Sequence, residues 1–244
     1  MRIIDAHMHL GEDLLFLTDD SERMLLDVMD RNGVNAQLVM PGIVAKDQKK
    51  AHERIRRFAD AHPGRAWGIA CFNPLMDDSE FRALIRWTVK DLGFKGIKVH
   101  PYAFCTGPTH PAVQKIFELA QELDIVVMIH TGNGLPIALP TAAIPAARTY
   151  PKVRIVLAHA GGGTFGADAI VAAEECPNIY LETSWVTVYD LKAMVERLGA
   201  KRVMFGTDLL SNVPVELAKY RGIGLSESDL EWCLGRTAQT VFGL

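Results

Sequence analysis

The chain has 244 residues, of which 49% are hydrophobic and 23% are charged. Its 26 lysines and arginines and 29 aspartates and glutamates give a formal net charge of −3. This charge offers no basic surplus for nucleic acid, and no apolar run approaches the roughly 20 residues that span a bilayer. We therefore expect a globular protein that binds neither nucleic acid nor membrane.

The four cysteines form no Cys-x-x-Cys pair, which excludes a zinc knuckle and a redox motif. They are Cys71, Cys105, Cys176 and Cys233. The opening sequence Met-Arg-Ile-Ile-Asp is too short and too acidic for a signal peptide. These features predict reduced thiols and a cytoplasmic location.

Eight short apolar runs alternate with amphipathic segments along the whole chain. They cover residues 3–9, 36–40, 66–72, 94–100, 125–130, 153–159, 178–183 and 202–208. Strands that alternate with helices form parallel sheets, and eight such units predict a (β/α)8 TIM barrel. The alternative is an open doubly wound sheet, which usually has a Gly-x-Gly-x-x-Gly turn after its first strand, and that turn is absent. We predict one domain over residues 1–244.

The intervening segments predict helices from their apolar spacing and their start and stop residues. The first helix is expected to begin at Asp19-Asp20-Ser21 and to end at Asn32-Gly33. Further helices are expected near residues 46–61, 77–92, 113–123, 141–149, 167–175, 188–198, 227–234 and 237–242.

Polar side chains end several of the apolar runs. The first run ends in Asp5-Ala6-His7-Met8-His9, and the period of two along a strand places His7 and His9 on one face. Two imidazoles on one face suit a metal ion that prefers nitrogen ligands. Later runs end in Lys98 and His100, His130, His159 and Asp208. In a barrel, all of these side chains lie at the carboxyl ends of the strands, where active sites form.

Loops that follow the strands determine substrate specificity in barrels. Three of these loops, at residues 11–18, 102–109 and 185–189, carry aromatic residues that are candidates for the pocket lining. These residues are Phe16, Tyr102, Phe104, Trp185 and Tyr189. Three histidines lie outside the pattern and are predicted to be surface or turn residues: His52, His62 and His110.

The chain resembles the amidohydrolase superfamily, and within it the branch that includes aminocarboxymuconate-semialdehyde decarboxylase. The matching segments are residues 5–9, 93–101, 130–132, 157–162, 205–208 and 238–244. The resemblance implies that a divalent metal, zinc or else manganese, is held by His7, His9, His130 and Asp208. It also implies that His159 either binds a second metal or hydrogen-bonds the substrate, and it suggests a homodimer.

Lys98 has two interpretations under this resemblance. In binuclear members, a carboxylated lysine at the end of the fourth strand bridges two metals. In mononuclear members, this lysine is dispensable or absent. We favour one ion over two, with the charged amine of Lys98 suited to a substrate carboxylate. The closing helix begins Arg236-Thr237-Ala238, where the branch commonly has Asn before Ala.

The expected function is that of a metal-dependent hydrolase. A bound zinc ion lowers the pKa of its water to about 7, and Asp208 is expected to accept the water's proton. His159 is expected to polarise the scissile carbonyl or to stabilise the developing oxyanion. The expected substrate is a small carboxylated or cyclic molecule with a C–N or C–O bond. The alternative is non-oxidative decarboxylation of a carboxylated ring or enol, and a second alternative is a non-catalytic ligand-binding barrel.

Overall fold

The computed structural model describes residues 1–132 and 134–244, and their strands form one curled sheet. Its strands are β1 Ile4–Asp13, β2 Thr18–Asp20, β3 Ala36–Pro41, β4 Ala66–Cys71, β5 Gly96–Val99, β6 Val126–His130, β7 Ile155–Ala158, β8 Ile179–Glu182 and β9 Val203–Met204. The order across the sheet is β2-β1-β3-β4-β5-β6-β7-β8-β9. All neighbours are parallel except β1 and β2, which form an antiparallel hairpin.

Helices connect successive parallel strands, and three further helices follow the last strand. They are α1 Glu22–Asn32, α2 Gln48–Ala61, α3 Asp78–Lys90, α4 Pro101–Phe104, α5 Pro111–Leu123, α6 Ile144–Thr149, α7 Gly166–Glu175, α8 Val188–Leu198, α9 Val213–Gly222, α10 Glu227–Glu231 and α11 Thr237–Phe242. The predicted alternation of strands and helices is thus confirmed as an α/β fold with a parallel sheet.

Alternating side chains divide the apolar core into two layers. Along β6, Val127 and Ile129 pack in the layer that includes the helices, whereas Val126 and Met128 belong to a separate cluster built mainly from strand residues. His130 follows Val126 and Met128 at the period of two, so it shares their face. The face that is apolar at the start of the strand therefore presents polar side chains at its carboxyl end.

The two ends of the parallel strand order approach each other. Ala6 N donates to Phe205 O at 3.0 Å, and Asp208 N donates to His7 O at 2.7 Å. The Asp5 carboxylate adds a bond from Thr207 Oγ1 at 2.5 Å. These bonds join β1 to the segment after β9, so His7 and Asp208 become neighbours although 201 positions separate them in sequence.

Three local features differ from the sequence-based expectations. Asp19 and Asp20 pair with Glu12 and Gly11 in the β1–β2 hairpin, so α1 begins after Ser21, whose side chain accepts from Met24 N. Helix α9 was not predicted, because its apolar residues are spread around the helix instead of forming one stripe. The last strand is also shorter than the predicted run, since only Val203–Met204 pair with β8.

His52 is buried, and its prediction as a surface or turn residue was wrong. Its Nδ1–H donates to Gln48 O at 2.6 Å, and its Nε2 accepts from Cys71 N at 3.0 Å. His62 and His110 do lie at helix boundaries, as the caps of α2 and α5. In the part of the chain described here, no helix has the length and apolar character needed to cross a membrane.

Candidate metal centre

A cavity of about 390 Å³ opens at the carboxyl ends of the strands. It is lined by His9, Asp13, Phe16, Thr18, Asp20, Lys98, His100, His130, His159, Trp185, Asp208 and Leu209. The polar residues that the sequence placed at strand ends therefore meet in one cavity, with the buried His7 directly behind its wall.

Three predicted metal ligands converge at the floor of this cavity. Asp208 Oδ1 lies 3.3 Å from His7 Nε2 and 3.3 Å from His9 Nε2. Two imidazole nitrogens and a carboxylate oxygen form a ligand set that zinc, manganese and related ions accept. The donor atoms of His7, His9 and Asp208 thus fit a divalent cation.

Hydrogen bonds fix the orientation of both histidines. His7 Nδ1 lies 2.8 Å from Glu182 Oε2, and His9 Nδ1 lies 3.1 Å from Pro41 O. Because a carboxylate or carbonyl oxygen only accepts, Nδ1 must carry the proton in each ring. In the neutral form of each ring, the unprotonated Nε2 therefore faces Asp208, which is the tautomer that a metal ligand requires.

Glu182 contacts the site, although the sequence analysis did not single it out. Its buried carboxylate accepts from His7 Nδ1 and also from three donors at 2.6–3.2 Å, namely His159 N, Ser184 N and Ser184 Oγ. One signal was available, because a charged residue closes the otherwise apolar run of β8. His7, His159 and Glu182 also bring potential ligand atoms within 4.8 Å of one another, but these hydrogen bonds already occupy the Glu182 oxygens.

His159 is held by Ser184, which lies 2.8 Å from its Nδ1. Since the single Ser184 hydroxyl proton is donated to Glu182 Oε2 at 3.0 Å, His159 Nδ1–H must be the donor to Ser184 Oγ. Burial lowers the pKa of His159 to about 3. At neutral pH its Nε2 is therefore an acceptor, so the expected role as a donor that polarises a carbonyl does not suit this tautomer.

Lys98 is almost completely buried, and its Nζ lies 3.0 Å from His7 Nε2. Burial lowers the pKa of Lys98 to about 8, so most of the amine is still charged at pH 7. The next residue on the same face is His100, whose Nδ1 accepts from Ala103 N at 3.1 Å. This bond leaves Nε2–H as the donor of the neutral His100 ring.

His130 lines the same cavity and packs between two other histidines. Its ring centroid lies 4.3 Å from that of His100 and 4.7 Å from that of His159. It belongs to neither of the two groups whose ligand atoms lie within 4.8 Å of one another. Its assignment as a metal ligand therefore stays a prediction.

The protonation states favour cation binding. Burial lowers the pKa values of His7, His100 and His130 well below the usual range. Although burial opposes its ionisation, the pKa of Asp208 lies well below its usual range. The charged Lys98 amine, whose own pKa Asp208 raises, favours the ionised carboxylate. Neutral imidazoles beside an ionised carboxylate are the forms that bind a metal without first losing a proton.

The loops supply only part of the predicted aromatic lining. Phe16 and Trp185 line the cavity, whereas Tyr102, Phe104 and Tyr189 are not among its described lining residues. The β1–β2 hairpin, which was not predicted, contributes Thr18 and Asp20 instead. Cys105 is an exposed free thiol outside this lining.

The fold and the site define a class of α/β protein in which a histidine-rich cavity lies at the carboxyl ends of a curled parallel sheet. Within this class, a family model described as Amidohydrolase matches residues 4–244. The chain belongs to the amidohydrolase family, as its motifs indicated. A comparison with curated proteins found no match.

Solved structures with the same fold are similar to the whole chain at low sequence identity. A 5-carboxyvanillate decarboxylase from Novosphingobium aromaticivorans, complexed with manganese and 4-hydroxy-3-methoxy-5-nitrobenzoic acid, has a TM-score of 0.79 at 16% identity and covers 100% of this chain and 96% of that one. A dihydroxybenzoic acid decarboxylase from Polaromonas sp., with bound manganese and 2-nitroresorcinol, has a TM-score of 0.75 at 20% identity, with 100% and 97% covered. A probable 2-pyrone-4,6-dicarboxylic acid hydrolase from Acinetobacter baumannii, with citric acid bound, has a TM-score of 0.74 at 14% identity, and both chains are covered completely.

Proposed function

We propose that this protein is a metal-dependent, non-oxidative decarboxylase of a small ring that carries a carboxylate and a hydroxyl group. The observation that carries the proposal is the convergence of His7 Nε2 and His9 Nε2 on Asp208 Oδ1, at 3.3 Å each, on the floor of the cavity. We further propose that the curled sheet is a complete (β/α)8 barrel, because bonds such as Ala6 N to Phe205 O join its two ends.

The comparisons support decarboxylation over our initial expectation of hydrolysis. Two of the similar structures are decarboxylases of hydroxylated aromatic acids, and both hold manganese with a nitro-substituted ring compound. We therefore propose manganese as well as zinc as candidate ions, with one ion held by His7, His9, His130 and Asp208. A bound divalent cation would act as a Lewis acid toward substrate oxygens.

The protonation states at the site define how the chain's own residues handle the proton. Decarboxylation breaks the bond between the ring carbon and the carboxyl carbon, and the ring carbon then needs a proton. At neutral pH Asp208 is ionised, and neutral His159 has its one ring proton bonded to Ser184, so neither is a resting acid. We propose that a substrate hydroxyl gives its proton to Asp208, which returns it to the ring carbon as CO₂ leaves. A hydroxy acid anion is thereby converted to a phenolate and CO₂, which balances atoms and charge.

Lys98 is the residue that we propose for binding the substrate's negative charge. It is the one lysine or arginine among the described residues that line the cavity, and its amine lies 3.0 Å from His7 Nε2. The donor Nε2–H of His100 is a second candidate for a substrate oxygen. Together they favour a small anionic substrate over a large or cationic one.

Hydrolysis remains the second candidate because one similar structure is a probable hydrolase of a carboxylated pyrone ring. In that reaction Asp208 would accept a proton from water and give it to the leaving oxygen. Both candidates share a carboxylated ring, and they differ in whether water is consumed.

The test incubates manganese-loaded protein with 2,6-dihydroxybenzoate, 5-carboxyvanillate and 2-pyrone-4,6-dicarboxylate, which are the ring acids of the similar structures. The proposal expects release of CO₂ and no incorporation of ¹⁸O from labelled water into the ring product. It also expects Asp208→Asn to lose this activity. Ring opening with ¹⁸O uptake would establish hydrolysis instead. Metal binding without turnover of a wider panel of carboxylated rings would favour the non-catalytic barrel.

A further inference from the structure

We propose that Trp185 is a positioning residue that holds the Asp208 carboxylate in its cation-binding orientation. The indole Nε1–H of Trp185 donates to Asp208 Oδ2 at 2.8 Å. This bond engages Oδ2 and leaves Oδ1 beside His7 and His9. The inference rests on the proposed metal site, and it adds a residue from the loop after β8 to that site.

The Trp185 backbone adopts a conformation that its own sequence does not favour. Its φ is +64°, in the left-handed region that L-residues other than glycine, asparagine and aspartate rarely adopt. Such strain persists only where the surrounding structure over-determines it. The neighbouring backbone of residues 184–186, which we call the strap, is indeed fixed by three side chains.

The backbone of each residue in the strap forms a hydrogen bond with a buried or half-buried side chain. Ser184 N donates to Glu182 Oε1 at 2.6 Å, and Trp185 N donates to Glu216 Oε1 at 2.9 Å. Lys219 Nζ donates to Val186 O at 2.6 Å. The strap is therefore clamped between the end of β8 and one face of α9.

The clamp also connects the strap with the segment that carries Asp208. Glu216 is buried and forms an ion pair with Lys219 at 2.5 Å. Asn212 Nδ2 lies 3.1 Å from Glu216 Oε1 and 3.1 Å from Thr207 O, the carbonyl that precedes Asp208. One buried network thus fixes both the residue that donates the indole bond and the residue that receives it.

This arrangement determines which oxygen of the Asp208 carboxylate is available to a cation. A carboxylate has two oxygens, and one of them accepts the hydrogen bond from the indole N–H. Asp208 itself has a φ of +67°, so the indole bond adds a side-chain restraint to an already unusual backbone. Partners of metal ligands that orient them in this way typically change metal affinity by roughly 10–100-fold when they are mutated.

The decisive variant is Trp185→Phe, which keeps an aromatic ring and removes the N–H. The matched control is Trp87→Phe on α3, whose ring lies on the outer helical layer near Lys49. Manganese and zinc are titrated calorimetrically into chelator-treated protein, and unfolding in urea is measured for each metal-free variant. We expect Trp185→Phe to weaken metal binding by roughly 10–100-fold with unchanged metal-free stability, because the indole is half exposed.

A second pair of variants tests the clamp separately. Glu216→Gln keeps an acceptor for Trp185 N–H and should retain the metal affinity, whereas Glu216→Leu removes the acceptor and should weaken metal binding as Trp185→Phe does. Wild-type affinity in Trp185→Phe would overturn the positioning role and leave the proposed function intact. A wild-type protein that binds neither manganese nor zinc would overturn the proposed function, and this inference with it.

Discussion

At the residue scale, the buried His52, which lies outside the cavity, makes the free energy of unfolding depend on pH. Burial lowers the pKa of His52 to about 4, from about 6.5 in an unfolded chain. The unfolded state therefore binds the proton more tightly than the folded state does. The contribution to stability is complete above pH 6.5 and is lost as the pH falls toward 4, by up to roughly 3 kcal/mol.

This effect is measured by urea unfolding of metal-free protein between pH 7.5 and pH 4.5. His52→Gln cannot titrate but keeps an acceptor for Cys71 N–H, so its free energy of unfolding should fall less with acidification than that of the wild type. His62→Gln, at the end of α2, is the control and should retain the wild-type slope. Equal slopes for His52→Gln and the wild type would show that His52 is not the titrating group.

The chemical state of Lys98, as a charged amine or as a carboxylated bridge, distinguishes a site with one ion from a site with two. Its ammonium donates to the same His7 Nε2 that a cation would use, at 3.0 Å. For a single ion, Lys98→Met removes a repelling charge, and we expect metal binding to tighten by about tenfold, or roughly 1.4 kcal/mol. Elemental analysis and calorimetry should then give one ion per chain in both proteins. Two ions in the wild type and one in Lys98→Met would identify Lys98 as a carboxylated bridge.

At the scale of the element, the short strand β9 and the residue Gly206 after it control how closely Glu182 is packed. A Cβ atom on Gly206 would lie 2.4 Å from Glu182 Oε1, and Glu182 is the carboxylate that orients His7. Gly206→Ala should therefore displace Glu182 and weaken metal binding by at least tenfold, as loss of a ligand's hydrogen-bond partner does.

The comparison variant for Gly206→Ala is Gly222→Ala at the end of α9, where an added Cβ meets no atom within 4 Å. Its metal affinity should equal that of the wild type. Calorimetric titration distinguishes the two variants, and a Gly206→Ala protein that binds metal normally would mean that Glu182 tolerates displacement.

The elements also explain which parts of the site the sequence could predict. His7, His9, His130, His159 and Asp208 were predictable because each ends an apolar run, and strand ends meet in a parallel sheet. Glu182 also ends an apolar run and Trp185 was a candidate for the pocket lining, but their roles as partners of His7 and Asp208 were not predictable. Those roles depend on contacts with residues 175 and 23 positions away. The β1–β2 hairpin escaped prediction for a local reason, since Asp19, Asp20 and Ser21 also form a reasonable helix start.

At the scale of the whole molecule, three of the four proposed ligands come from opposite ends of the parallel strand order. His7 and His9 lie on β1, whereas Asp208 follows β9. A cation bound by these residues would therefore join the two ends of the curled sheet, in addition to the backbone bonds such as Asp208 N to His7 O at 2.7 Å. Since the unfolded chain does not bring these ligands together, metal binding should stabilise the fold as a whole.

The size of this stabilisation follows from mass action. At a free manganese concentration of about 100 times the dissociation constant, the free energy of unfolding should rise by about 2.7 kcal/mol. For a chain of this length, that corresponds to an increase in Tm of roughly 5–11 °C. Thermal unfolding is monitored with chelator and with increasing manganese, and His7→Ala is the control that should show no metal-dependent increase. If His7→Ala responds to manganese as strongly as the wild type, the stabilising ion binds elsewhere, and the ends of the sheet are held together by their hydrogen bonds alone.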